Sequence, residues 1–147
     1  MASGAALDLN GQTIANALSV TGTGISNGGA ITNSSSNVAI LNGAVTLMGN
    51  STWSSTGGLK LQGAINAHAA GGPSLTISSG AVQLLAGVGQ SARLASMEIA
   101  GAATLGADVT TSGAQSYGDV SEDSVTVSGP VNLKTTNSAV SFSGDVD

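Results

Sequence analysis

One short phrase recurs along this chain: two apolar residues flanking a polar one, a corner that usually carries glycine, then a second alternating stretch. Clear copies are Leu59-Lys60-Leu61-Gln62-Gly63-Ala64-Ile65-Asn66-Ala67 and Leu75-Thr76-Ile77-Ser78-Ser79-Gly80-Ala81-Val82-Gln83-Leu84. Others open at Val38, Met97, Val125 and Val140, and weaker ones at Leu7 and Leu18. The starts at 7, 18, 38, 59, 75, 97, 125 and 140 lie 11 to 28 residues apart, 19 on average. An internal repeat of this length is the signature of stacked coils, each unable to bury its own apolar face. Alternation of period two marks strands with one buried side.

The expected fold is therefore all-β: a single-stranded parallel β-helix (β-solenoid) of about seven coils, irregular near both ends. At about 4.8 Å per coil it would be about 33 Å long. Leu, Ile and Val should form inward columns, with Ser, Thr, Asn and Gln outside. Glycine at the corners is expected to supply positive φ, most plainly at Asn10-Gly11 and Asn42-Gly43. A β-sandwich is the alternative, but it would not need the same phrase at each strand. With 22 glycines in 147 residues, a long amphipathic helix has no room. A single helical turn would fall, if anywhere, within 88–100.

Composition agrees with stacking. Only 7% of residues are charged and 2% aromatic, against 41% hydrophobic. Like charges repeated on neighbouring strands would repel, so ladders favour neutral polar side chains. Net charge is −5, and Lys60, Arg93 and Lys134 are the basic residues, which cannot form the basic face that nucleic acid requires. No apolar run approaches the length of a membrane span. The chain has no cysteine, so disulfides and thiolate metal sites do not arise. Residues 1–10 lack the pattern of a signal peptide. Residues 1–147 are expected to be one β-helix segment, weakly repetitive over 1–37 and clearly so over 38–147. Its last copy stops early in the second strand, as in a fragment of a longer repeat protein.

Candidate sites are sparse. His68, the single histidine, lies in a small-residue loop and has no neighbour in sequence to form a catalytic pair or metal site. Asp119, Glu122 and Asp123 form one acidic cluster, a weak calcium candidate that departs from the 12-residue calcium-loop pattern; a solvated loop is the simpler reading. Trp53 is a candidate ligand contact if it is exposed to stack on a sugar, but partial burial in a wide coil is favoured. Phe142 keeps the inward phase of Val140 and is expected in the core. Asn33-Ser34-Ser35 and Asn50-Ser51-Thr52 match the Asn-x-Ser/Thr acceptor pattern, which arises readily by chance here. No catalytic residue and no cofactor is assigned.

The phrase Leu-x-Leu-x-Gly-Ala-Val-x-Leu resembles the repeats of filamentous-haemagglutinin-like bacterial exoproteins and autotransporter passengers. So does the tail from Gly113-Ala114-Gln115-Ser116-Tyr117 to Val140-Ser141-Phe142-Ser143-Gly144-Asp145-Val146-Asp147. The resemblance covers about 38–147. It implies a right-handed parallel β-helix, secreted or displayed on the bacterial surface, and a non-enzymatic adhesin stalk. Its expected partners are a host-cell receptor or glycan and contiguous coils of the parent chain, with no nucleic acid and no membrane insertion. Binding would fall to the irregular segments 22–37, 85–96 and 106–124. The alternatives are a polysaccharide-acting β-helix enzyme and a structural filament or phage-fibre segment.

Overall fold

The computed structural model describes residues 1–78, 80–120 and 123–147. The chain winds as a three-faced parallel β-solenoid. Among the described residues it completes six turns and begins a seventh. The first face stacks Leu7–Asp8, Ile31–Asn33, the end of Val45–Ser55, Leu75–Ile77, Met97–Ile99, Gln115–Tyr117 and Val140–Phe142. The second stacks Thr13–Ile14, Ala39–Leu41, Leu59–Leu61, Val82–Leu84, Ala103–Leu105, Ser124–Val127 and Asp145–Val146. The third runs from Leu18–Gly22 through the start of Val45–Ser55, Ile65–Ala67, the bridging residue Val88, and Val109–Thr110 to Leu133–Lys134.

Each face holds an apolar column set by strict parallel register. On the second face it reads Ile14, Leu41, Leu61, Leu84, Leu105, Val127. On the first it reads Leu7, Ile31, Trp53, Ile77, Ile99, Tyr117, Phe142. On the third it reads Leu18, Val45, Ile65, Val88, Val109, Leu133. The central members are buried, and each such aliphatic side chain contributes about 1.5–3 kcal/mol of transfer free energy. The end coils have a neighbour on one side only. Phe142 is accordingly 38% exposed, although it keeps its column and stacks on Tyr117 with ring centroids 5.5 Å apart. It is exposed here rather than buried in the core as expected.

Outside, the ladders keep charges apart. Lys60 stands between Ile40 and Gln83, and Glu98 between Thr76 and Ser116. Neither meets a like charge along its column, the condition that a low charge content serves.

The true period differs from the repeat read in the sequence. Successive members of the second-face column lie 20 to 27 residues apart. The copies at Leu7 and Leu18 belong to different faces of one turn. All three faces use the same apolar-polar-apolar pattern, so the phrase appears wherever two faces adjoin. The helical-turn expectation is also corrected. Residues 88–96 hold bends and two bridges, and the single 3-10 turn described lies at Ile25–Asn27.

Candidate functional site: a ridge of loops

The three corners of the coil are unequal. Between the second and third faces the connection has three residues in five turns (15–17, 42–44, 62–64, 85–87, 106–108) and lengthens only at 128–132. Between the third and first faces it is 23–30, 68–74, 89–96, 111–114 and 135–139, and one turn needs no loop because Val45–Ser55 runs through the corner. At the third corner, between the first and second faces, the connection varies less, from two residues at 143–144 to five at 34–38 among the fully described loops. Length variation is therefore widest, from no loop to eight residues, on the edge between the third and first faces.

The loops of this ridge touch each other from turn to turn. The Gly71 amide donates to the Arg93 carbonyl at 2.8 Å, and the Arg93 guanidinium reaches the Thr136 hydroxyl at 3.2 Å. Ile25 at the 3-10 turn is 67% exposed and Met48 on the through-running strand 50%. His68 is exposed in the 68–74 loop, its Nδ1 3.3 Å from the Leu47 carbonyl. The ridge thus offers mixed apolar and polar side chains on a stiff backing. Within the segments expected to be irregular, 31–33, 109–110 and 115–117 are strands of the stack. The loop 68–74, read from the sequence as the small-residue loop around His68, lies on the same ridge.

Where corners leave the ladder, side-chain oxygens from the preceding turn take up the loose amides. Asn50 Oδ1 accepts from the Ser74 amide at 3.0 Å, and Asn66 Oδ1 from the Ser91 amide at 2.9 Å. Asp108 Oδ1 accepts from the Asn132 amide at 2.8 Å, and Asp8 Oδ1 from the Ser34 amide at 3.0 Å. These bonds favour the charged carboxylate. The Ser34 hydroxyl, then the Ser34 and Asn10 amides, hold Asp8 below the ordinary carboxylate value. The Asn132 amide does the same for Asp108.

Two polar clusters lie inside. Asn33, 1% exposed, accepts from the Gly11 amide through Oδ1 at 2.9 Å. Its Nδ2 donates to the carbonyls of Asn37 at 2.8 Å and Gly58 at 2.9 Å. Gln115 donates to the carbonyl of Lys134 at 2.9 Å and the hydroxyl of Thr111 at 3.2 Å. Its Oε1 accepts from the Tyr117 hydroxyl at 3.0 Å. Burial pushes the Tyr117 phenol above its usual value.

The remaining candidates are placed as follows. Trp53 is 0% exposed and fills the first-face column, with its indole N–H on Ser51 Oγ at 2.9 Å. Burial is complete rather than partial, and no ring face is left for a sugar to stack on. Asp119 is exposed. Asp123 turns its carboxylate onto its own loop, Oδ2 accepting from the amides of Asp119 at 3.0 Å and Val120 at 3.3 Å. The Asp119 amide is the main cause of its lowered pKa. Glu122 lies outside the described residues. Among the described residues no three His, Asp or Glu side chains gather to hold a metal ion. Among the described residues no helix is long and apolar enough to cross a membrane.

The chain matches no protein-family model, and neither a curated protein nor a solved structure is detectably similar to it.

Proposed function

We propose that this chain is a stalk segment of a secreted or surface-displayed bacterial adhesin, non-enzymatic, which carries attachment loops on one edge of a stiff β-solenoid. The observation that carries the reading is that the longest loops and the widest variation in loop length fall on one ridge while the strands of the three faces stay stacked. A stack whose every strand is paired above and below resists bending, and loops on such a backing are held in fixed mutual positions. The sequence resemblance to filamentous-haemagglutinin-like repeats adds support from a separate direction. Fold alone does not fix function, so the weight falls on the ridge.

The test uses beads coated with the purified chain, applied to glycan arrays and to epithelial cells. A second protein has 23–30 and 68–74 cut to three-residue corners, with its strand content checked by circular dichroism. Retention by the first protein and loss in the pruned one is expected. Equal retention by both, or release of reducing ends from a polysaccharide, contradicts the proposal.

A further inference from the structure

The two Asn-x-Ser/Thr triplets, alike in sequence, are opposite in the structure. Asn33 points inward, and its amide nitrogen is committed to the carbonyls of Asn37 and Gly58. Modifying it would mean dismantling the corner. Asn50 is exposed, within the eleven-residue strand Val45–Ser55 where that strand crosses the ridge without a loop. Ser51 is buried, so strand alternation places Asn50 and Thr52 on the same outward side, about 6.6 Å apart along the chain. Those are the asparagine and hydroxyl positions that an acceptor triplet must present together. The Ser74 amide anchors Oδ1 at 3.0 Å, which sets the rotation of the side-chain amide. Among the described residues Nδ2 donates to nothing.

We infer that Asn50 is an acceptor site for an N-linked sugar, added to the folded chain by a glycosyltransferase from a phosphate-activated hexose donor. In the transfer Nδ2 attacks the anomeric carbon and a C–N bond forms. The bond from that carbon to the donor phosphate oxygen breaks, the phosphate leaves with the electron pair, and a base on the transferase takes the amide proton. Asn50 would carry its glycan on the ridge, between the Ile25 loop and the 68–74 loop. The inference does not depend on the adhesin reading.

The test incubates the folded chain in two arms. One holds a soluble asparagine glycosyltransferase with a nucleoside-diphosphate hexose; the other holds an oligosaccharyltransferase with a lipid-pyrophosphate donor. Intact mass and peptide mapping are the readouts, and the arm that reacts identifies the donor source. One sugar on Asn50 is expected in at least one arm, lost in Asn50→Gln and in Thr52→Ala and kept in Thr52→Ser. Circular dichroism of the variants should show the strand content of the parent. Absence of sugar in both arms, sugar on Asn33, or transfer that survives Thr52→Ala overturns the inference.

Discussion

The corner between the second and third faces and the ridge between the third and first belong to the same turns yet obey different constraints. At the tight corner the backbones of successive coils nearly touch. A Cβ on Gly63 would lie 2.0 Å from the Gly43 carbonyl oxygen, and a Cβ on Gly43 2.0 Å from that of Asn16. Glycine is needed there for closeness, and neither residue has positive φ. On the ridge the chain leaves the stack, and its loose amides are taken up by side chains such as Asn50 and Asn66. Backbone contact between coils recurs at Gly43 and Gly63 of the tight corner, whereas on the ridge, where Gly89 makes one such contact with the Thr110 carbonyl, replaceable hydrogen bonds hold the other loops, so length varies more there.

Gly63→Ala tests that difference most strongly. The new methyl meets backbone, which cannot swing aside, so a loss near about 3 kcal/mol in urea unfolding is expected, the upper part of the overpacking range. Inserting Gly-Ser-Gly between Asn27 and Gly28 on the ridge should cost less than about 1 kcal/mol, because loop closure grows slowly with length. Equal costs at the two places would erase the distinction.

A smaller effect is expected at the third corner, where Asn33 links three turns. Asn33→Ala strands the Gly11 amide and the Asn37 carbonyl, while the Gly58 carbonyl keeps the Ala39 amide. Unsatisfied buried groups cost about 1–3 kcal/mol, and a drop of about 2 kcal/mol by the same urea titration is expected. No measurable change would mean that water replaces the amide and that this corner behaves like the ridge.

The smallest effect is acid dependence. Asp8, Asp108 and Asp123 have folded pKa values below the ordinary 3.8. Their contribution is complete above the unfolded value of about 3.9 and is lost as pH falls through the lower folded values. Melting temperature should stay level from neutral pH to about 5 and decline below about 4. Asp108→Asn should make that acid decline shallower, and an unchanged slope would mean that the Asn132 contact adds no stability.

Much of the architecture was legible because Leu59-Lys60-Leu61 and Leu75-Thr76-Ile77 are strands in both sequence and structure. The residues per turn were not, because three faces share one pattern and nothing in Leu18-Ser19-Val20 says which face it occupies. Asn10 and Gly11 do take left-handed φ of 45° and 71°. The same argument fails at Asn42-Gly43, since steric contact between coils leaves no trace in a dipeptide. The ridge was half legible: loop length shows in the sequence, but which corner each loop occupies depends on register. Trp53 was read as partly buried because aromatic size does not reveal how wide a coil is.

The central claim is parallel, in-register stacking of successive turns, and the absence of cysteine makes a direct measurement possible. Gln83 and Thr104 are register partners on adjacent second-face strands, and Thr126 follows one turn later. Partners on neighbouring strands lie about 4.8 Å apart, within disulfide reach, and residues two turns apart do not. Oxidation of the Gln83→Cys/Thr104→Cys and Thr104→Cys/Thr126→Cys proteins should give intramolecular cross-links, and the Gln83→Cys/Thr126→Cys protein should stay reduced. Cross-linking of the last pair with none in the first two would contradict the solenoid.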